Sequence, residues 1–296
     1  MTLTTVPTGA ALGAEVTGID LGGPIHSDTA QEIRMTLCRH GVLVFREQEI
    51  SPEAQVALTR QLGEPEVHVL SSFSLPGIPE VFVVSNVRRN GKPVGAVNAG
   101  QYWHSDLSYT ARPTFASMLH ARQVPSGRGE TMFADMVRAW ETLPPDARAR
   151  IEGCRAVHDY ALAYETVFAG NPDRTLTPEQ ASAVPPVEHP VVRTQPETGR
   201  KALYVNPGFT RRIVEMDENE SRETLAFLFD HATDPDNIHT HHWHDGDFVM
   251  WDNRVTMHRA LSNYGAEDVR HLLRTSVMGE VPVQGSARDR LATSSH

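Results

Sequence analysis

Cysteine is nearly absent: Cys38 and Cys154 are the only two in 296 residues. Two thiols in apolar-patterned segments make no disulfide framework, so the expectation is a reducing, cytoplasmic setting. Long apolar runs are lacking too. No stretch approaches the ~20 residues that a membrane-spanning helix needs. Met1-Thr2-Leu3-Thr4 has neither the basic nor the apolar region of a secretory signal. Positive charge is in deficit: 27 Lys and Arg against 37 Asp and Glu leave a formal net charge of −10. That balance argues against a nucleic-acid partner. No internal repeat and no compositional break divides the chain, so residues 1–296 read as a single domain. Residues 161–187 carry several prolines and little periodicity, which suits a lid over a site or a poorly ordered insert; the tail from 283 to 296 is polar.

What is present is a core. A 40% hydrophobic content with ten Phe and four Trp can fill one. Residues 8–21 alternate and carry three glycines, a strand with turns. A helix is predicted from about Thr29 to His40, with Ser27 or Asp28 as its N-cap. Ser51-Pro52 opens a second helix, to about Leu62. Val42 to Phe45, Glu80 to Asn86 and Phe115 to Ala121 read as strands. Asp135 caps a helix that Pro144-Pro145 break. Val191 to Val205 reads as a hairpin turning at 196–199. After a helix from about Glu220 to His231, strands follow at 238–243, 248–251, 255–258 and 272–278. Short strands at regular spacing with few helices predict a mostly β fold with flanking helices and a jelly-roll core.

The chemistry concentrates at Trp103-His104-Ser105-Asp106. On a strand, side chains alternate, so His104 and Asp106 would point to one face. With a distant second histidine they would make the two-histidine, one-carboxylate set that holds non-heme Fe(II) and leaves positions open. The tripeptide alone is cheap: His26-Ser27-Asp28 repeats it, at a helix start. Far downstream lies Trp251-Asp252-Asn253-Arg254-Val255-Thr256-Met257-His258, and after it Arg270 and Arg274.

Taken together, these motifs resemble the taurine / 2,4-dichlorophenoxyacetate dioxygenase (TauD/TfdA) family of Fe(II)- and 2-oxoglutarate-dependent enzymes. The resemblance runs over most of the chain, from Gly13-Ala14-Glu15-Val16-Thr17-Gly18-Ile19-Asp20-Leu21 through Gly129-Glu130-Thr131 to His258. It implies a double-stranded β-helix (jelly-roll, cupin-like) core and, as cofactor and co-substrates, Fe(II), 2-oxoglutarate and O2. His104, Asp106 and His258 match the iron ligands. Thr131 and Arg270 match the pair that binds the distal carboxylate of 2-oxoglutarate. Arg274 matches an arginine near the proximal carboxylate and the substrate anion. His68, by itself a lone loop histidine, matches a loop residue that contacts the substrate's anionic group, and Leu107 next to Asp106 completes the expected substrate contacts. Ser71 and Gly100 stand where the family's taurine enzyme has a contacting tyrosine and asparagine, so taurine itself is not implied. The implied partner is a small anionic organic substrate, hydroxylated at a C–H bond with release of succinate and CO2. Bond cleavage follows where the hydroxylated carbon bears a heteroatom. Retention of Asp106 favours hydroxylation, since related halogenases have Ala or Gly there. The relatives imply a dimer or tetramer.

Other features read as structure. His239, His241, His242 and His244 fall on the two faces of a strand with no carboxylate at matching spacing. Trp103, Trp243 and Trp251 serve equally as pocket or core aromatics, and Arg254 pairs with Asp252. Two other functions share the three ligands: a jelly-roll metal-binding protein without redox turnover, and a zinc hydrolase. Neither needs a carboxylate clamp at Thr131, Arg270 and Arg274.

Overall fold

The apolar runs pair into one large sheet. The computed structural model describes residues 3–67, 71–97, 99–170, 175–265 and 267–285. The strands of the large sheet are β1 (Thr4–Pro7), β2 (Ala14–Thr17), β3 (Val42–Phe45), β4 (Ser74–Leu75), β5 (Ile78–Ser85), β6 (Thr114–Gln123), β9 (Phe248–Asp252) and β11 (His271–Met278). Their order is β1-β2-β3-β9-β6-β11-β5-β4, an open sheet that does not close into a barrel. A second sheet holds β8 (Ile238–His241), β7 (Thr131–Asp135) and β10 (Thr256–Ala260), in the order β8-β7-β10. The fold is mostly sheet, with helices outside.

Each face of the large sheet has its own core. On the outer face Leu43, Phe45, Phe115, Met118, Phe248 and Met250 pack under helices α1 (Ser27–His40) and α2 (Pro52–Leu62). On the inner face Val44, Phe82, Leu119, Val249 and Trp251 meet Phe133 of the small sheet. The alternation along β3, β6 and β9 divides each strand between the two cores, which is why their central residues are buried throughout. The space between the sheets, at one end, holds the site.

Local signals act where expected at α2. The Ser51 hydroxyl accepts from the Ala54 amide at 3.1 Å, and Pro52 opens the helix. Asp135 caps α3 (Met136–Thr142), accepting from Val137 and Arg138. The start of α1 differs from its reading. His26 occupies the cap position without a side-chain cap bond, and Ser27 and Asp28 lie inside the first turn. Asp28 then acts on the helix dipole rather than as a cap. The strand expected over 238–243 ends at His241.

Candidate active site

A cross-strand contact builds the site. The amide of His104 donates to the carbonyl of His258 at 3.1 Å, and the amide of His258 donates back at 2.8 Å. Residues that exchange both bonds sit directly opposite, with side chains on one face. The two imidazole centroids are 4.1 Å apart. His258 lies inside β10, but His104 is an isolated bridge residue, not part of a strand. The expected strand over His-Ser-Asp is therefore absent: residues 106–109 turn back on themselves. Asp106 reaches the histidines through that turn, which places Leu107 at φ 51°. A branched residue in the left-handed region is strained and persists only where its surroundings hold it.

The three side chains converge while buried. Ligand-type atoms of His104, Asp106 and His258 all lie within 4.8 Å of one another, the one such trio of His, Cys, Asp or Glu among the described residues. His104 Nδ1 meets the Tyr102 carbonyl at 2.8 Å, which leaves Nε2 to face Asp106 Oδ1 at 3.6 Å. Burial opposes charge on Asp106, but the Arg274 guanidinium and then the two histidines hold its carboxyl well below the usual range. Arg274 Nη1 donates to Asp106 Oδ1 at 3.3 Å. Burial, reinforced by His104, pushes the His258 imidazole down to about 3. One ionised carboxylate and two neutral imidazoles are the forms a divalent metal takes. The set suits Fe(II) with three positions left open.

Thr131 lies along β7 two residues from Phe133, which pairs with His258, so Thr131 shares the face of His258. Its hydroxyl oxygen accepts from Trp243 Nε1 at 3.0 Å. Arg270 comes from the large sheet, just before β11, and crosses to the same end. Its Nε donates to the Gly129 carbonyl at 3.2 Å. Gly129, at φ 72°, lets the arginine lie against its backbone. Arg270 is only 5% exposed, and burial lowers its affinity for the proton. No carboxylate among the described residues forms an ion pair with it. A buried cation without an anion is costly, so this position suits an anionic guest.

Next to the trio is a cavity of about 330 Å³. His104, Asp106, Leu107 and Arg274 form its floor, and Arg274 lies over the Phe82 ring at 4.9 Å. Tyr164 and Phe168, from the segment expected to be a lid, and Tyr160 just before it form a wall with Tyr102, Tyr109 and Phe209. The aromatic lining was not visible in the sequence, because it is gathered from four separate stretches. His68 lies outside the described residues.

The histidine-rich strand is structural. His241 is buried against Asp247 at 3.1 Å, and Asp247 also takes Arg46 Nη1 at 2.6 Å. A carboxylate does sit beside this cluster, but it serves to pin a turn. His242 and His244 face outward. Trp243 and Trp251 are core residues; Trp103 packs against a third cluster, formed around α3 by Met136, Val137, Val255 and Met257. Arg254 grips Asp252 through two bonds of 2.9 and 2.8 Å.

The family model "Taurine catabolism dioxygenase TauD, TfdA family" matches residues 4–276. Pentalenolactone F synthase of Streptomyces avermitilis is 36% identical over 87% of this chain and 88% of its own. The alpha-ketoglutarate-dependent 2,4-dichlorophenoxyacetate dioxygenase of Cupriavidus pinatubonensis is 34% identical over 96% of this chain and 100% of its own. A solved structure of AAD-2 in complex with Mn(II) and N-oxalylglycine superposes with a TM-score of 0.82 at 32% identity, covering 96% of this chain and 100% of that one. The chain therefore belongs to the TauD/TfdA family and is a 2-oxoglutarate-dependent non-heme iron dioxygenase.

Proposed function

We propose that this enzyme hydroxylates a C–H bond of a small anionic organic substrate, using His104, Asp106 and His258 to hold Fe(II). The observation that carries the reading is the pairing of a convergent buried trio with a buried Arg270 that no described carboxylate compensates, at the same end of the two sheets. A metal-binding protein without redox turnover or a zinc hydrolase has no use for that cation. A dicarboxylate such as 2-oxoglutarate supplies its missing partner. The two sheets are read as the family's double-stranded β-helix, and the match over residues 4–276 supports a single catalytic domain.

Bound Fe(II) with 2-oxoglutarate and O2 supplies the oxidising chemistry, with succinate and CO2 as co-products. The chain's residues do the rest. Arg270 and Thr131 take the distal carboxylate: the guanidinium can donate two parallel bonds, and it does not lose its charge. Trp243 occupies the Thr131 oxygen, so the hydroxyl proton points away to a guest. Arg274 opens into the cavity beside Asp106 and supplies positive charge for an anionic head group. Leu107 lies beside the same group, and His68 is the family's further contact. The aromatic wall excludes water from the reacting carbon and packs on the substrate's body. The relative that acts on 2,4-dichlorophenoxyacetate supports an anionic class. If the hydroxylated carbon bears a heteroatom, the product falls apart.

Anaerobic addition of Fe(II) and 2-oxoglutarate tests this. A weak visible charge-transfer band is expected, lost in His104→Ala, Asp106→Ala and His258→Ala. Metal binding without a band would refute the clamp; a band in Asp106→Ala would refute the ligand assignment. A screen of small organic anions for succinate release then identifies the substrate class.

A further inference from the structure

We propose that Ser117 and Asn253, oriented by Trp251, are positioning residues that select which oxygen of Asp106 meets the metal. The inference rests on Asp106 being a ligand, as read above. It adds the chain of hydrogen bonds that makes the carboxylate bind through one oxygen.

The chain follows from donor and acceptor counting. Trp251 on β9 and Ser117 on β6 are directly paired, so their side chains share a face. The indole Nε1 of Trp251 can only donate, and it donates to Asn253 Oδ1 at 3.0 Å. The backbone amide of Asp106 donates to the same Oδ1 at 3.1 Å. Two donors on one oxygen forbid the flipped amide, which would turn an NH2 toward both. The Asn253 NH2 is thereby directed at Ser117, whose Oγ accepts it at 3.0 Å. A hydroxyl has one proton. With its oxygen engaged, Ser117 spends that proton on Asp106 Oδ2, at 2.6 Å. Oδ2 takes this short bond and lies 4.0 Å from His258 Nε2. Oδ1 faces His104 Nε2 at 3.6 Å and holds only the longer Arg274 contact of 3.3 Å, so it is the oxygen more open to the metal. All three residues are buried, at 0 to 1% exposure, so water does not compete.

The chain also steadies the turn itself. Asn253 holds the Asp106 backbone directly and its carboxylate through Ser117, immediately before the strained Leu107. One side chain thus fixes both where the ligand sits and how it is rotated. Removing the outer partners of a metal ligand typically weakens metal affinity about 10–100-fold.

The test is Mn(II) affinity, read by the loss of the free-ion EPR signal, for the full chain and for Ser117→Ala, Asn253→Ala, the double variant and Asp106→Ala. Thermal melting of each, without metal, reports folding. Each single variant is expected to bind Mn(II) about 10–100-fold more weakly. The double variant should lose little more than the weaker-binding single, because both changes cut one chain. Ser117→Ala removes a single oxygen, so it remains informative if Asn253→Ala fails to fold. Unchanged affinity in a folded Ser117→Ala, with affinity lost in Asp106→Ala, would overturn the positioning role alone. A lowered melting temperature with unchanged affinity would reduce Ser117 to a packing residue. Unchanged affinity in Asp106→Ala would overturn the ligand assignment and this inference with it.

Discussion

Replacing Arg270 by methionine should separate cofactor binding from folding. The guanidinium is buried, donates to the Gly129 carbonyl, and is paired with no described carboxylate. In the apo fold it pays desolvation without a counter-charge, so an apolar side chain of similar length should be neutral or stabilising. On the proposed reading, the same group anchors a carboxylate once 2-oxoglutarate is bound. Truncating one member of a buried charge pair costs about 2–5 kcal/mol. At 1.4 kcal/mol per decade, that is a dissociation constant raised about 30-fold at the low end and about 4,000-fold at the high end. The assay is an anaerobic titration of the Fe(II) enzyme with 2-oxoglutarate, read at the charge-transfer band, alongside urea unfolding of both apo proteins. Arg270→Met should show the weakened titration with an unfolding midpoint equal to or above that of the parent. Unchanged 2-oxoglutarate affinity would refute the clamp. A large loss of apo stability would refute the claim that the cation is uncompensated.

Three further outcomes follow from the geometry. Trp243→Phe keeps the bulk but leaves the Thr131 oxygen without its donor. With about 1 kcal/mol lost from one hydrogen bond, the 2-oxoglutarate requirement should rise roughly five-fold, while Mn(II) affinity stays unchanged; a fall in Mn(II) affinity would contradict the assignment. Gly100 has φ 70°, and a Cβ there would meet His104 Cε1 at 3.0 Å. Gly100→Ala should therefore displace the ring and weaken metal binding, and unaltered metal affinity would show that the loop adapts. His158 and His258 are pushed by burial to about 3, and His189 and His239 to about 4, from an ordinary 6.5. Each is neutral when folded and takes a proton on unfolding below pH 6.5, so its stabilisation is present above pH 6.5 and lost as pH falls. The slope approaches about 1.4 kcal/mol per pH unit per histidine. Urea midpoints of the metal-free protein should fall from pH 7.5 to 5.5, and a flat profile would refute the burial argument.

The parts of this molecule legible in the sequence are those set by neighbours in the chain. Ser51-Pro52 and Asp135 start helices through bonds to residues two or three positions away. Period-2 apolar patterns locate the strands, since each buries one or both faces. The His104, Asp106 and His258 trio was found through motif resemblance, and the reason offered for the first pair, a shared strand face, is not how the fold achieves it. The bridge to His258 and the turn at Leu107 do that work, and neither has a local signature. His26-Ser27-Asp28 has the same letters but begins helix α1.

Residues that act through others were invisible for the same reason. Asn253 lies 147 positions from the amide it holds. In the sequence it is one polar residue of a turn between two strands. What gives it a role is that β9 and β6 pair in a register that sets Trp251 opposite Ser117, directly beneath the Asp106 turn. Had that register slipped by one residue, every side chain on β9 would change face, and Trp251 would no longer fix the amide. The orientation of the Asp106 carboxylate is thus a consequence of sheet register, which the inner and outer cores specify jointly. Phe248 and Met250 are buried under α1, while Val249 and Trp251 are buried between the sheets. A slipped pairing would have to reverse both sets at once. The packing that stabilises the large sheet therefore also aims Asp106.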